Sequence, residues 1–282
     1  MSEKIAVVTD STSDLSKEIL KEKNIESFPL KIIYSDREYR DRVNIQPQEV
    51  YDSFEKEIPS TSMPGPEEIK NKYLELKDKG FTHIISIHIS SGLSGTYNTC
   101  KMASNEIEGV TIELIDSKML SMGLGRLVLY AQELVDKGED SFDSIVEMVK
   151  NKIDRIDLYF VVSTLKYLKK GGRIGKVKGT IAELLNIKPI ISIDEEGKYY
   201  TFDKVRSRKK SINRLIDLAK EKINDGICFV DVMHADAKKE ASSILDKLKD
   251  LNNVKEASLG EISPAMVVHS GPGLIGVCIT KE

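Results

Sequence analysis

Short apolar runs alternate with segments of helical periodicity through the first half of the chain. The run Ile84-Ile85-Ser86-Ile87 is apolar on both faces, which is typical of a buried parallel strand covered by helices. Further strands are predicted at Lys4–Thr9 and Val110–Ile115. Helices are predicted over Leu15–Lys23, from Pro47 to about Glu57, from Pro66, from Thr96, over Leu124–Asp136 and over Phe142–Asp154. The pattern therefore predicts a doubly wound α/β domain over residues 1–160.

A small hairpin is predicted as an insertion in this domain, at about residues 28–45. Its strands are Phe28–Tyr34 and Glu38–Arg40, and they close around Ser35-Asp36.

The pattern changes near residue 160 to strands joined by hairpin-type turns and long amphipathic helices. Glu196-Gly197 is a turn between two of the strands. The predicted strands are Leu158–Ser163, Lys188–Ile193, Tyr199–Arg206, Ile227–Met233, Lys255–Ile262 and Gly273–Thr280, and the helices run through Leu184-Leu185, Lys209–Lys222 and Ala237–Leu251. This half predicts an α+β domain over residues 161–282.

Composition and charge agree with a folded, two-domain protein. The 282 residues are 40% hydrophobic and 31% charged, and the net charge of −3 gives no overall attraction to nucleic acid or to an anionic membrane. No apolar run approaches the roughly 18 residues that a membrane-spanning helix needs, and no signal peptide precedes the first strand. We expect a cytoplasmic protein whose connection to lipid, if it has one, uses a pocket or a surface.

The three cysteines are Cys100, Cys228 and Cys278, and they lie far apart in unrelated contexts. An odd and scattered set is a poor disulfide framework and lacks the spacing of metal ligands. We expect each of them to be a small buried apolar residue, and we expect neither a metal nor a cofactor.

Three loops of the first domain are rich in hydroxyls and glycines, and each follows an apolar element. They are Ser60–Pro66, Ser90–Thr96, and Asp116–Lys118 continuing to Gly123. In an open α/β sheet, ligands bind at the carboxyl ends of the strands, and free N–H groups with hydroxyls suit an anion. The alternative is that these loops are only caps and turns, where such residues are common anyway.

His269 is the histidine with the most suggestive surroundings. It follows a short apolar helix and opens a Gly271-Pro272-Gly273 turn, which makes a rigid tip able to reach across a cleft between domains. We interpret His83, His88 and His234 as packing residues because their contexts show no such feature.

Two enzymatic interpretations were weighed against these residues. Ser94, Asp116 and His269 occur in the chain order of an α/β hydrolase, but Gly92-Leu93-Ser94-Gly95-Thr96 lacks the G-x-S-x-G spacing. The sequence therefore leaves a lipid or ester hydrolase that uses Ser94 and His269 as one possible function. Nucleotide-binding enzymes are disfavoured, because the sequence has no P-loop and no G-x-G-x-x-G motif after the first strand.

Taken in order, these segments resemble the DegV family, the fatty-acid-binding proteins that include the FakB subunits of bacterial fatty acid kinase. The resemblance covers nearly the whole chain. It is carried by Val8–Asp14, Thr61–Pro64, Ser91–Tyr97, Asp116–Lys118, Leu168–Ile174, Leu185–Pro189 and His269–Gly273. It implies two domains with a ligand tunnel between them, and a non-catalytic carrier of one long-chain fatty acid.

The resemblance also implies roles for particular residues. Thr61 and Ser94 would donate hydrogen bonds to the fatty acid carboxylate, and His269 would complete the network from the second domain. Ser62 and the backbone of Gly95 would be near neighbours. The chain departs from the family pattern at Met63, where a polar residue is more usual, and at Ser270, where Thr is frequent.

A basic stretch from Lys166 to Lys178 contains no acidic residue. Most of it is expected to be a solvated surface, but the resemblance singles out Arg173 and Arg206 as contacts for a fatty acid kinase catalytic subunit. A third hypothesis is a partner-binding regulator that uses these arginines and holds lipid only as a structural filler. Transient membrane contact is compatible with this stretch, whereas nucleic acid binding is disfavoured by the sparse aromatics.

Overall fold

The structure is a computed structural model that describes residues 3–180 and 187–282. In these ranges the strands are β1 (Ile5–Asp10), β2 (Glu26–Phe28), β3 (Lys31–Ile33), β4 (Glu38–Arg40), β5 (Ser60–Ser62), β6 (His83–His88), β7 (Thr111–Asp116), β8 (Ile156–Val161), β9 (Ile187–Ile193), β10 (Tyr199–Arg206), β11 (Cys228–His234), β12 (Val254–Glu261) and β13 (Ile275–Lys281). The helices are α1 (Lys17–Glu22), α2 (Pro47–Ser53), α3 (Pro66–Asp78), α4 (Thr96–Ser104), α5 (Met122–Lys137), α6 (Phe142–Lys152), α7 (Lys166–Lys170), α8 (Arg208–Ile223), α9 (Lys238–Leu248) and α10 (Pro264–Ser270). The predicted helix through Leu184-Leu185 lies outside the described residues.

The first half contains a four-stranded, fully parallel sheet in the order β2-β1-β6-β7. Successive residues of a strand face opposite sides, so Val8 and Ile84 pack with α3 and α4, whereas Val7 and Ile85 face the centre of the molecule. Helix α5 covers that central side. This arrangement confirms the doubly wound α/β sheet predicted for the first half.

The predicted hairpin is present as β3 and β4, which pair in antiparallel register, but two details of the prediction were wrong. Phe28 ends β2 and belongs to the parallel sheet. Ser60–Ser62, predicted as a loop, is β5 and extends the hairpin to a three-stranded sheet in the order β4-β3-β5. Three hydroxyl residues show no apolar alternation, so only the pairing with β3 reveals this strand.

The second half contains a six-stranded sheet in the order β10-β9-β8-β13-β11-β12. Its pairs are antiparallel except for β11 and β12, which agrees with the predicted α+β class. Tyr159 and Val161 face α8 and α9, whereas Leu158 and Phe160 face the first half. The two sheets therefore lie on either side of one central apolar layer. The domain boundary near residue 160 stays a prediction.

Candidate functional site

The central layer contains a pocket between the two halves of the chain. It encloses about 840 Å³ of space between protein atoms, part of it open to solvent. Its apolar lining includes Leu30, Ile89, Leu93, Leu120, Leu158, Phe160, Leu168, Tyr199, Met233, Ile262, Ala265, Met266, Leu274, Val277 and Cys278. Its polar lining residues are Thr12, Thr61, Ser94, Ser121, Arg173, His269 and Ser270. A pocket of this kind suits a long apolar ligand with one polar end.

Thr61 and His269 meet in this pocket although 208 residues separate them in the chain. The Thr61 Oγ1 atom lies 2.7 Å from His269 Nε2. Thr61 is held by the pairing of β5 with β3, where it lies opposite Ile32, and His269 lies in the last turn of α10. The three-stranded sheet of the first half therefore positions Thr61, and helix α10 of the second half positions His269.

The His269 imidazole is neutral at physiological pH. Burial, the larger cause, and the nearby Arg173 guanidinium together lower its pKa to about 4. The Nδ1 atom is buried and has no hydrogen-bond partner among the described residues. A proton there would be unsatisfied, so the favoured tautomer carries it on Nε2 and donates to Thr61 Oγ1. The Thr61 hydroxyl hydrogen is then free to be donated to a ligand.

Ser94 lines the same pocket from the loop before α4. Its Oγ lies 2.8 Å from Thr96 Oγ1 and accepts from the Thr96 backbone N–H at 3.3 Å. Gly95, the residue between them, packs against Met63, because a Cβ at position 95 would lie only 2.7 Å from the Met63 sulfur. Met63, which follows the strand that contains Thr61, therefore packs against the loop that contains Ser94. Ser62 is partly exposed on β5 and is not a lining residue.

Arg173 lines the pocket, and Arg206 lies exposed at the end of β10. The Arg173 Nη1 atom donates to the carbonyl of Gly171 at 2.6 Å, and its Nε donates to the carbonyl of Leu93 at 3.2 Å. Sequence analysis placed Arg173 among surface cations and did not show that its side chain folds back over the Gly171-Gly172 turn. Its charge therefore acts on the pocket as well as on the surface.

The geometry does not assemble the Ser-Asp-His arrangement of a hydrolase. Asp116 accepts hydrogen bonds from the Ser91 backbone N–H at 3.1 Å and from Ser91 Oγ at 2.5 Å, and it pairs with Lys118 Nζ at 2.8 Å. Burial would raise the Asp116 pKa, but Lys118 and Ser91 hold it below its usual value. His269 bonds to Thr61, and Ser94 bonds to Thr96, so the three candidates each have other partners.

Sequence analysis assigned no site role to two polar residues of the pocket, Thr12 and Ser121, although Ser121 lies in the third hydroxyl-rich loop. Thr12 donates to Asp10, the buried last residue of β1, through both its backbone N–H at 3.1 Å and its hydroxyl at 2.5 Å. His88 Nδ1 lies 3.1 Å from the other Asp10 oxygen, which agrees with the interpretation of His88 as a packing residue. The signal for Thr12 was available in the hydroxyl-rich run that follows β1.

Other expectations concern the cysteines, metal binding and membrane-spanning helices. Cys100, Cys228 and Cys278 are free and buried, as predicted. Within residues 3–180 and 187–282, no cluster of His, Cys, Asp and Glu is arranged to hold a metal ion. In the same ranges, no helix is both long enough and apolar enough to cross a membrane.

The parallel sheet of the first half, the six-stranded sheet of the second half and the apolar pocket between them define the class of protein, an α/β fold of two main sheets. A family model described as an uncharacterised protein of the DegV family matches residues 4–282. A DegV domain-containing protein of Clostridium acetobutylicum is 47% identical over 281 residues, which cover 99% of this chain and 100% of the relative. The chain belongs to the DegV family.

Solved structures give the same result for the fold. A structure described as fatty acid binding of a DegV family protein from Thermus thermophilus has a TM-score of 0.93 at 28% identity, covering 99% of this chain and 100% of its own. The structure of DegV from Bacillus subtilis, described as a fatty acid binding protein, has a TM-score of 0.92 at 31% identity and covers all of both chains. Both relatives share the fold over their full length.

Proposed function

We propose that this protein is a non-catalytic carrier of one long-chain fatty acid. Thr61 and Ser94 donate hydrogen bonds to the fatty acid carboxylate, His269 orients Thr61, and Ser62 and the Gly95 backbone lie nearby. The observation that carries the proposal is an apolar pocket whose neutral donors, Thr61 and His269, are already hydrogen-bonded to each other across the two halves. The fatty-acid-binding relatives described above support it.

The tail supplies most of the affinity in this proposal. A dozen or so buried methylenes at ~0.8 kcal/mol each contribute on the order of 10 kcal/mol. That exceeds the several kcal/mol that association costs, so tight binding does not need a strong ionic contact. The hydroxyls provide orientation, because hydrogen bonds to a carboxylate are charge-assisted and directional. A hydroxyl that donates to a carboxylate is not a nucleophile, which agrees with a carrier.

Replacing Thr61 by valine is expected to weaken oleate binding by about ten- to a hundredfold, since a hydrogen bond to a charged group contributes about 1.5–3 kcal/mol. Valine keeps the shape of threonine and removes the hydroxyl, which is both the donor to the ligand and the acceptor for His269 Nε2. Calorimetric titration with oleate measures the effect, and native mass spectrometry of gently purified wild-type protein should show a bound fatty acid. Thr111→Val on the exposed start of β7 is the matched control and should bind oleate normally.

Wild-type protein that is purified without lipid and does not bind added oleate or palmitate would contradict the carrier proposal. Equal affinities for the Thr61→Val and Thr111→Val variants would instead contradict the assigned role of Thr61.

The second part of the proposal is that the carrier presents the carboxylate to a fatty acid kinase catalytic subunit. Arg206 is exposed, and the α7 residues Lys166, Lys169 and Lys170 are exposed beside the pocket residue Leu168. Surface charges of this kind mainly raise association rates and fix the docking orientation. The resemblance to the fatty acid kinase system supports this assignment.

Arg206→Ala is therefore expected to slow acyl phosphate formation by about tenfold or more, while oleate affinity stays unchanged. The assay adds ATP and a fatty acid kinase catalytic subunit to oleate-loaded protein. The regulator hypothesis requires that partner binding does not depend on the ligand, so it predicts that ligand-free Thr61→Val binds the catalytic subunit as well as oleate-loaded wild-type protein does. An Arg206→Ala variant that supports the wild-type rate would rule out the assigned docking residue.

A further inference from the structure

Helix α10 brings His269 to the pocket, and its opposite end is bound by two buried carboxylates of the first half. The Ser263 backbone N–H donates to Asp14 Oδ1 at 2.7 Å, and the Ala265 backbone N–H donates to Asp41 Oδ1 at 3.1 Å. Asp14 is 7% exposed and Asp41 only 1%, so neither carboxylate is solvated in the usual way. The two carboxylates accept hydrogen bonds from N–H groups at the start of the helix, and these N–H groups have no partner within the helix.

The second oxygen of each carboxylate is also used. Asp14 Oδ2 accepts from Ser121 Oγ at 2.6 Å, and Asp41 Oδ2 accepts from Ser11 Oγ at 2.6 Å. Arg42 adds a further contact, because its Nη2 lies 3.3 Å from Asp14 and donates to the carbonyl of Glu261 at 2.7 Å, just before α10. The start of α10 is therefore tied to several separate segments of the first half.

We infer that Asp14 and Asp41 are positioning residues for the head-group site, which they serve by holding α10 so that His269 reaches Thr61. The inference deepens the proposed function and rests on it. Neither carboxylate touches the ligand in this assignment, and both act through the helix.

The helix itself requires such anchors. α10 has only seven residues, and isolated helices shorter than about 12–15 residues are marginal in water. Burial raises the pKa of Asp14 and raises that of Asp41 to about 7, so keeping these carboxylates inside the fold costs free energy. The hydrogen bonds to α10 offset part of that cost.

The far end of α10 tolerates little displacement. A Cβ at Gly171 would lie 2.1 Å from His269 Nδ1, and a Cβ at Gly271 would lie 2.1 Å from the Tyr167 ring. A shift of the helix in one direction would press His269 onto Gly171, and a shift in the other would break the 2.7 Å contact with Thr61. A displacement of about 1 Å at a binding group is enough to lose most of a directional contact.

The test compares Asp41→Ala with Asp41→Asn, because asparagine keeps an oxygen for the Ala265 N–H and alanine does not. We expect Asp41→Ala to weaken oleate binding by about tenfold, the equivalent of one charge-assisted hydrogen bond. Asp41→Asn should stay within about threefold of wild type for the same reason. Ile244→Ala in the α8/α9 core is the matched control, since it destabilises the fold away from the pocket and should leave affinity unchanged.

A double-mutant cycle with His269→Ala separates positioning from general stabilisation. If Asp41 acts through His269, Asp41→Ala should cost no more than about twofold in the His269→Ala background. An equal loss of affinity in both backgrounds would overturn the inference.

The ligand-free protein provides a readout that does not depend on fatty acid binding. His269 is one of four histidines, so its imidazole resonances can be assigned with the His269→Ala variant. The wild-type ring should titrate near its lowered pKa of about 4, and Asp41→Ala should move the midpoint toward about 6.5 by releasing the ring. An unchanged midpoint in Asp41→Ala would also overturn the inference, whether or not oleate binds.

If Asp41→Ala does not fold, Ser11→Ala provides the same test. It removes the hydroxyl that donates to Asp41 and also accepts from the Leu30 backbone N–H at 3.0 Å. It should shift the His269 midpoint upward and weaken oleate binding by about threefold. A folded Ser11→Ala variant with neither change would contradict the positioning role.

Discussion

Oleate binding is expected to fall by about a hundredfold when Gly276 is replaced by leucine, because the new side chain would occupy the space of about four methylenes at ~0.8 kcal/mol each. Gly276 lies on β13 opposite Phe160, on the same strand face as the pocket residue Cys278. A Cβ at position 276 would lie 3.5 Å from the Phe160 Cβ and 3.8 Å from the Tyr159 carbonyl oxygen, which are ordinary contacts. The backbone therefore accepts the substitution, and the rest of the side chain extends into the pocket.

Two comparisons make this prediction specific. Gly276→Ala should bind oleate almost as well as wild type, because only the Cβ is added. Laurate, with a shorter chain, should lose less affinity than oleate in Gly276→Leu. Competition against a fluorescent fatty acid measures all of these values, and wild-type oleate affinity in Gly276→Leu would show that the acyl chain does not run past β13.

Arg126→Ala is expected to lower the free energy of unfolding by about 3–5 kcal/mol, the usual effect of removing one partner of a buried ion pair. Arg126 on α5 donates to both oxygens of Asp231 on β11, at 2.8 and 2.7 Å. Asp231 is fully buried, and the guanidinium also lies 4.7 Å from the centre of the Phe229 ring. Alanine would leave the Asp231 carboxylate without its cation in the layer between the two sheets.

Urea unfolding followed by circular dichroism measures this effect. The double variant Arg126→Met with Asp231→Leu should recover most of the loss, since apolar pairs of similar volume replace buried ion pairs at little cost. Lys137→Ala on the same helix is the control. It breaks only the exposed pair with Glu133 and should cost less than about 0.5 kcal/mol. A loss below about 1 kcal/mol in Arg126→Ala would mean that the pair contributes no more than a surface contact.

The strands and helices could be predicted well because their periodicity is local. The turn at Glu196-Gly197 illustrates this, since Gly197 has a φ of 74° that few other residues adopt, and β9 and β10 pair on either side of it. Ser60–Ser62 shows the limit. Its three hydroxyl residues carry no periodic signal, and it becomes a strand only because β3 offers unpaired backbone groups at its edge.

The site could be predicted only in part. The hydroxyl-rich loops and the family resemblance pointed to Ser94 and Thr61, and the structure brings both to one pocket with His269. The partners of these residues were not predictable. Nothing in the local sequence around Asp41 indicates that it receives the backbone N–H of Ala265, 224 residues later.

By itself, the sequence determined the order and type of most elements, and it predicted a boundary near residue 160 and residues that could bind a carboxylate. These features depend on neighbours within a few positions, where apolar periodicity and turn chemistry act. Only the tertiary structure decided that Thr61 bonds to His269, that Asp116 bonds elsewhere and that Arg173 lines the pocket. Such contacts depend on how two sheets and the short helix α10 pack, and no local pattern records that packing.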